Sequence, residues 1–293
     1  MRLEGTMSAI VTPMRDDGRV DEDALRALVN AQLDAGMDAI VPCGTTGETP
    51  TLTDDEYRLV VRATVSEVNG RVPVIAGTGS NSTRKTVEFT RTAKELGVDA
   101  ALVVTPYYNK PGQGMMYNHF RSVATDGGLP VVLYNVPGRT GVNMSADTTI
   151  ALSKLDAVIA IKEASGDLSQ VQAILAGTDE RSFTLVSGDD ALSLPMYAVG
   201  SHGVISVAGN IVPKAVKSVR TSFLAGDVSG AATQARRLFP LYEALFVESN
   251  PVPCKVALHL LGRMSPTVRA PLGTASDNTV TKITQVLTGL GLL

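Results

Sequence analysis

One lysine stands inside an otherwise apolar segment of the chain. Residues 157–164 read AVIAIKEA, and Lys162 is the only cation among them. Lysine is almost never fully buried unless it is paired, so its presence here needs a reason. The side chain could extend to solvent from the end of a strand, or it could pair with Glu163 or another neighbour. It could also be a nucleophile.

Nucleophilic lysines form Schiff bases with ketones, and the reaction requires a neutral amine. In water at pH 7, only about one lysine in 2,500 is neutral, because the reference pKa is about 10.4. Apolar surroundings disfavour the ammonium form and can lower a lysine pKa by several units. A lone lysine on a buried strand therefore suits covalent catalysis on a carbonyl compound.

Other residues with suitable chemistry follow neighbouring apolar segments. Tyr134 could relay protons through a hydroxyl chain with Thr45 or another tyrosine, or it could be a packed aromatic residue. The turn at residues 44–47 reads GTTG. Its N–H groups and hydroxyls could bind a substrate carboxylate, although such turns also occur as ordinary loops. Arg139 could bind a second carboxylate with two hydrogen bonds, or it could be an exposed loop residue.

These residues follow short runs rich in Val and Ile, and eight such runs occur. They span residues 8–13, 38–44, 72–77, 100–106, 130–135, 157–164, 182–188 and 203–208. Near-continuous apolar runs are typical of parallel strands buried on both faces. Amphipathic stretches with helical periodicity lie between them. Eight strand–helix units favour an α/β fold of the (β/α)8 TIM-barrel type over an open sheet, and no GxGxxG motif follows a run.

The strand pattern stops near residue 225. Helices are predicted after it at 228–247, 252–262 and 277–290. We therefore expect a catalytic barrel at 1–225 and a C-terminal helical domain at 226–293. In such barrels the active site lies at the C-terminal ends of the strands, which is where the residues considered above are found.

Composition excludes several other classes. The chain has 293 residues and a net charge of −3, which argues against nucleic-acid binding. No apolar stretch reaches the ~18–20 residues of a membrane helix, and the N-terminus lacks the apolar core of a signal peptide. Cys43 and Cys254 have no CxxC partner, so we expect reduced thiols in a cytoplasmic protein. The three histidines are scattered, so we expect no metal site.

Four motifs occur in order along the chain. They are GTTGE at 44–48, VTPYYNKP at 104–111, LYNVPGRTG at 133–141 and IKEASGD at 161–167. Together with NPVPCK at 250–255, they resemble the 4-hydroxy-tetrahydrodipicolinate synthase family, formerly called dihydrodipicolinate synthase, over essentially the whole chain. This family belongs to the pyruvate-dependent class I aldolases, which include N-acetylneuraminate lyase.

The resemblance implies a role for each matching residue. Lys162 would form a Schiff base with pyruvate, and Tyr134, Thr45 and Tyr108 would relay protons, with Tyr108 reaching into the neighbouring subunit's site. Thr45 and Thr46 would hold the pyruvate carboxylate. Arg139 would receive the carboxylate of L-aspartate 4-semialdehyde. The matching backbone positions that line the pocket are Gly188 and Ile205.

The resemblance also implies the reaction and the assembly. The expected enzyme is a lyase that catalyses the first committed step of the diaminopimelate route to lysine. It would be a homotetramer built from two tight dimers, and it would need no metal or organic cofactor, because the lysine itself is the electron sink. The alternative is another pyruvate-dependent Schiff-base aldolase, acting on a sugar acid or a hydroxy-oxo acid. Arg139 favours the synthase.

Regulation is where the sequence departs from the family pattern. Many bacterial and plant members are inhibited by L-lysine at the dimer interface. The matching positions here are Thr49, Pro50, Asp54, Tyr57, Asn81, Lys85 and Tyr107. Lysine-sensitive members commonly have histidine at 54 or 57 and an acid at 85. Lys85 would instead oppose the effector's amino group with a like charge, so we expect weak or absent inhibition by lysine.

Overall fold

Eight parallel strands form a nearly closed barrel in the computed structural model, which describes all 293 residues. The strands are β1 (Gly5–Ala9), β2 (Ala39–Val41), β3 (Ile75–Gly77), β4 (Ala100–Val104), β5 (Val131–Asn135), β6 (Val158–Glu163), β7 (Thr184–Ser187) and β8 (Gly203–Ser206). They are hydrogen-bonded in the order β2-β1-β8-β7-β6-β5-β4-β3. A bridge between Ile40 and Val74 joins β2 to β3. The predicted barrel is confirmed.

Helices follow the strands around the outside of the barrel. They are α1 (Glu22–Asp34), α2 (Asp54–Val68), α3 (Thr83–Glu95), α4 (Gln113–Asp126), α5 (Pro137–Thr140), α6 (Ala146–Leu152), α7 (Leu168–Gly177), α8 (Ser193–Ala198) and α9 (Pro213–Leu224). Local signals set their ends. Thr53 and Glu56 form a capping box at the start of α2, which satisfies two N–H groups that lack helical partners. Gly97, just after α3, takes the left-handed φ of +85° that favours glycine.

Strand side chains alternate between the barrel interior and the layer under the helices. One buried cluster fills the interior and includes Val132, Tyr134, Ala160 and Ile205. A larger cluster fills the space between strands and helices and includes Ile161. The same alternation turns Lys162 inward, with Ala160, and turns its neighbour Glu163 outward.

The position predicted for the first strand is wrong. The apolar run at 8–13 predicted a strand there, whereas β1 spans Gly5–Ala9. Ile10 and Val11 are buried, but they belong to the outer cluster beyond the strand's end. The Val11 N–H donates to the Asn210 side chain at 3.1 Å rather than to a strand. The apolar residues of this run are buried, as expected. The run predicts the wrong strand position because the buried residues continue past the end of β1.

The three helices after residue 225 occur where the pattern predicted them. They are α10 (Val228–Ala244), α11 (Val252–Leu260) and α12 (Asp277–Gly289). Their buried side chains, among them Leu241, Leu258 and Ile283, join the same hydrophobic cluster as the outer barrel layer. The division of the chain at residue 225 stays a prediction, because one continuous core extends on both sides of it.

A fully buried ion pair connects the C-terminal segment to the barrel. Lys255 on α11 and Glu48, which follows β2, are 0% and 1% exposed, with Nζ and Oε1 2.5 Å apart. Lys255 Nζ also donates to the Thr267 carbonyl at 2.8 Å, and the Arg269 N–H donates to Glu48 Oε2 at 3.0 Å. Burial lowers the pKa of Lys255, and the Glu48 carboxylate opposes that effect.

Replacing Lys255 should be severely destabilising. Lys255→Met leaves the Glu48 carboxylate buried without its cation, so the free energy of unfolding should fall by about 3–5 kcal/mol. The double variant with Glu48→Gln removes both charges and should recover most of the loss. Urea denaturation followed by circular dichroism measures both effects. A single variant as stable as the wild type, or a double variant less stable than the single one, would contradict this.

Candidate active site

A cavity of about 370 Å³ opens at the C-terminal end of the barrel strands. Its walls include six of the residues predicted for the site, which are Thr45, Thr46, Tyr134, Arg139, Lys162 and Gly188. A second cavity of about 640 Å³ adjoins it and shares Thr45, Tyr134, Val136 and Arg139. The fold therefore brings these six predicted residues to one cavity, and their roles stay predictions.

Lys162 lies on the inner face of β6 and is only 5% exposed. It is in register with Tyr134 on β5, and its Nζ lies 4.3 Å from the centre of the Tyr134 ring. Its Nζ forms no salt bridge and no hydrogen bond with the rest of the chain. The two alternative explanations therefore fail, because the amine neither reaches bulk solvent nor meets a counter-ion. The amine instead lies at the wall of the cavity.

Glu163 is committed to a different network on the outer face of β6. Its carboxylate accepts hydrogen bonds from the Ser165 N–H at 2.7 Å, from Asn135 Nδ2 at 3.1 Å and from Gln170 Nε2 at 3.2 Å. Burial raises the pKa of Glu163, and these hydrogen bonds oppose the shift. Asn135 Oδ1 in turn accepts from the Met144 N–H at 3.0 Å. The network thus anchors the loop that follows α5 to the ends of β5 and β6.

Gly188 makes room for the lysine side chain. A Cβ at this position would lie 3.0 Å from Lys162 Cε and 2.8 Å from the Ala164 Cβ. Both distances are too short for ordinary van der Waals contact. A residue with a side chain just after β7 would therefore force Lys162 or Ala164 to shift.

The turn after β2 is held tightly while two of its backbone N–H groups remain free. Thr12 Oγ1 donates to the Gly47 carbonyl at 2.7 Å, and the Gly47 N–H donates to the Gly44 carbonyl at 3.0 Å. The backbone N–H groups of Thr45 and Thr46 donate to no group in the protein. A rigid turn with two free N–H groups and two hydroxyls at the cavity wall suits a carboxylate.

Tyr134 and Thr45 carry hydroxyl groups that the fold does not use. Both line the two cavities, and neither hydroxyl has a hydrogen-bond partner in the protein. Tyr108 does not join them. It is 88% exposed, it lines neither cavity, and its backbone φ is +72°, which is uncommon and strained for a residue other than glycine.

Two further predicted residues lie differently with respect to the cavity. Arg139 is on the short helix α5, is exposed and forms no salt bridge, so its guanidinium is available to an anion. Ile205 on β8 is fully buried inside the barrel. It does not line the cavity, whereas Val207 does.

The C-terminal segment supplies a wall that the sequence analysis missed. Four residues of α10 and its end line the cavity that contains Lys162, and they are Phe239, Tyr242, Glu243 and Phe246. Asn250 and Asp189 complete this side. The spacing of the aromatic residues places them on one helix face. That signal was present in the sequence, but an apolar helix face also predicts ordinary core packing.

Most of the residues predicted to bind L-lysine as an effector line the larger cavity. Thr49, Pro50, Asp54, Tyr57, Lys85 and Tyr107 line it. Asn81 does not, and its carbonyl accepts a hydrogen bond from Asn109 Nδ2 at 2.9 Å. Lys85 is exposed and forms no salt bridge, so its positive charge is not neutralised by a carboxylate of this chain.

Other kinds of site have less support in the structure. No group of three or more His, Cys, Asp or Glu side chains is arranged to hold a metal ion. None of the helices combines the length and apolar character that crossing a membrane requires. Cys43 and Cys254 are free and buried, and burial raises the pKa of each thiol.

Comparison with known proteins shows what the chain is similar to. The model of the dihydrodipicolinate synthetase family matches residues 2–290. The 4-hydroxy-tetrahydrodipicolinate synthase of Syntrophotalea carbinolica is 47% identical over 289 residues, which cover 99% of this chain and 98% of that protein. The synthase of Citrifermentans bemidjiense is 49% identical over 285 residues, which cover 97% and 98%.

Solved structures give the same result. Dihydrodipicolinate synthase from Thermotoga maritima superposes with a TM-score of 0.97 at 40% identity, covering 100% of both chains. The Aquifex aeolicus enzyme gives a TM-score of 0.96 at 43% identity, covering 99% of both. A monomeric dihydrodipicolinate synthase variant gives 0.97 at 40% identity, covering 99% of this chain and 98% of its own. The similarity therefore extends over the barrel and the C-terminal helices alike.

Filling the space beside the lysine should impair its chemistry. Gly188→Ala pushes the Lys162 stem aside, and a displacement near 1 Å can reduce rates by about 100-fold. We expect adduct formation between Lys162 and an α-keto acid, trapped with borohydride and followed by mass spectrometry, to slow by about that factor. Gly289→Ala, where a Cβ meets nothing within 4 Å, is the matched control. A Gly188→Ala rate within twofold of the control would contradict the steric role.

Proposed function

The chain belongs to the dihydrodipicolinate synthetase family, and we propose that it catalyses the 4-hydroxy-tetrahydrodipicolinate synthase reaction. In that reaction pyruvate condenses with L-aspartate 4-semialdehyde through a Schiff base on Lys162. The main support for the proposal is the environment of Lys162. This lysine is nearly buried, has no counter-ion and faces a cavity beside Tyr134. The proposed chemistry requires no metal or organic cofactor, because the protonated imine withdraws the electrons.

Pyruvate binding comes first in the proposed mechanism. The pyruvate carboxylate accepts hydrogen bonds from the free N–H groups and hydroxyls of Thr45 and Thr46. This orients the ketone toward the Lys162 amine, which attacks C2. Two proton transfers to the C2 oxygen release it as water and leave the Schiff base.

Proton transfer is the proposed task of the hydroxyl residues. Tyr134 lies against the Lys162 amine, so its hydroxyl can carry protons to the departing oxygen and from C3 of the Schiff base. Loss of the C3 proton produces the enamine. A tyrosine in water has a pKa near 10, so a chain of hydroxyls that includes Thr45 would lower the barrier to transfer by sharing the charge.

The second substrate enters from the side of Arg139. Its carboxylate pairs with the free guanidinium, which suits bidentate binding. The enamine carbon attacks the aldehyde carbon, a carbon–carbon bond forms, and the aldehyde oxygen takes a proton to become a hydroxyl. The substrate amine then attacks the imine carbon and displaces Lys162, which closes the ring and regenerates the enzyme.

Assembly completes the proposed site. Tyr108 would contribute its hydroxyl to the site of a second copy of the chain, in a homotetramer built from two dimers. Two facts support this proposal: the Tyr108 side chain lies outside the cavity of its own chain, and it is held exposed in a strained backbone conformation that a functional role would explain.

A cytoplasmic location fits the two free thiols.

Initial rates with two aldehydes test the function. With pyruvate and L-aspartate 4-semialdehyde, coupled to the next reductase through NADPH oxidation, we expect turnover. With pyruvate and N-acetylmannosamine we expect none, because that aldehyde has no carboxylate for Arg139. Turnover with the sugar alone would show that the enzyme is a different pyruvate aldolase.

Variants of Arg139 sharpen this test. A hydrogen bond to a charged group contributes about 1.5–3 kcal/mol, so Arg139→Ala should raise the KM for the semialdehyde by about 10- to 100-fold. Trapping of pyruvate on Lys162 should be unchanged, because Arg139 acts only on the second substrate. Arg139→Lys, which retains the charge but not the planar fork, should lie between Arg139→Ala and the wild type. Loss of pyruvate trapping in Arg139→Ala would contradict this assignment.

Inhibition by L-lysine should be weak or absent. Lys85 places an unpaired positive charge at the cavity that would receive the cationic effector, and like charges oppose binding. We expect millimolar L-lysine to leave the initial rate of the wild type nearly unchanged. Lys85→Glu should introduce inhibition, while Lys282→Glu, an exchange on the distant helix α12, should not. Saturable inhibition of the wild type at low-millimolar lysine would contradict the expectation.

A further inference from the structure

We propose that Asn250, in the segment between α10 and α11, is a positioning residue that directs the hydroxyl proton of Thr46 into the cavity. The inference rests on the proposed function, because it assumes that Thr46 binds the pyruvate carboxylate. It extends the site from the barrel into the C-terminal segment, which would then help to set the affinity for pyruvate.

The contact itself is well defined. Asn250 Nδ2 donates to Thr46 Oγ1 at 2.9 Å. Asn250 is 5% exposed and Thr46 is 3% exposed, and both line the cavity that contains Lys162. This hydrogen bond joins residues that are 204 positions apart in the chain, so it is a contact made by the fold and not a local turn.

The hydrogen-bonding capacity of a hydroxyl gives the contact a chemical meaning. A threonine hydroxyl has one proton to donate and two lone pairs that accept. The Asn250 amide occupies a lone pair, and Thr46 Oγ1 donates to no group of the protein. Its proton is therefore free for an acceptor in the cavity. A carboxylate oxygen is such an acceptor, and a donor that is already oriented loses less entropy on binding.

Two further contacts connect the C-terminal segment, which contains Asn250, to the turn after β2, which contains Thr46. The Glu48–Lys255 ion pair fastens the end of the turn to α11, five residues after Asn250. The Arg269 N–H bonds to the same carboxylate. The turn after β2 is therefore joined to the C-terminal segment at Thr46 and again at Glu48.

Replacement of the amide by a carboxylate provides a shape-conserving test. In Asn250→Asp the ionised carboxylate cannot donate. It would accept the Thr46 proton instead and place a negative charge beside the bound carboxylate. We expect the KM for pyruvate to rise at least tenfold, in line with a lost hydrogen bond to a charged group. The kcat and the KM for the semialdehyde should change less than twofold. The matched control is Asn278→Asp, an exposed position on α12.

The pH dependence separates positioning from packing. The carboxyl group that Asn250→Asp introduces can donate while it is protonated, so in this variant the KM for pyruvate should rise with pH as that carboxyl ionises. The wild type and Asn278→Asp should show no such rise. A purely structural role of Asn250 would change the melting temperature without producing this profile.

A double-mutant cycle tests the coupling to Thr46. Asn250→Ala should raise the KM for pyruvate severalfold in the wild-type background. In the Thr46→Val background it should add less than twofold, because the hydroxyl that it orients is gone. Additive effects, or pyruvate KM values within twofold of the wild type, would overturn the proposal. So would melting of both Asn250 variants below the assay temperature, since it would assign Asn250 to folding.

Borohydride trapping distinguishes this failure from a failure of the proposed function. If the wild type forms no pyruvyl adduct on Lys162, the proposed function itself is wrong. If the wild type forms the adduct and the Asn250 variants form it at the same pyruvate concentration as the wild type, only the role of Asn250 is wrong.

Discussion

The site depends on one arrangement, an amine that lies inside the barrel with no counter-ion. Lys162 is turned inward by the alternation of β6 and is packed against the Tyr134 ring, while the adjacent carboxylate of Glu163 is turned outward into its own hydrogen bonds. The Lys162 amine therefore faces the cavity with no carboxylate of the chain paired to it, where it can meet a bound molecule. Gly188 provides the space that the side chain needs.

The C-terminal segment is as much a part of this site as the barrel is. It supplies a wall through α10, a hydrogen bond through Asn250 and a buried cation through Lys255. Each contact reaches the cavity or the turn that follows β2. The free N–H groups of that turn are useful only while its geometry is fixed, and groups of the C-terminal segment help to fix it. The contacts that fix this turn are therefore also contacts that hold the C-terminal segment to the barrel.

Most of the barrel and six of the residues that line the cavity could be predicted from the sequence. The eight apolar runs identified the strands because parallel strands are buried on both faces, and Lys162 was conspicuous because charge is rare in such runs. The predicted end of β1 lies too far along the chain because burial continues past the strand through Ile10 and Val11. The Asn250–Thr46 contact could not be predicted, since it joins distant parts of the chain that only the fold brings together. The exposure of Tyr108 likewise depends on its positive φ, which the local sequence does not predict.

The most direct test of this account is to identify the residue that pyruvate modifies. The protein would be incubated with pyruvate and borohydride, digested, and its peptides examined by mass spectrometry. We expect a reduced pyruvyl adduct on Lys162, none on the buried Lys255, and none in a folded Lys162→Met variant. An adduct on another lysine, or none under conditions in which the enzyme turns over, would contradict the claim that Lys162 is the nucleophile.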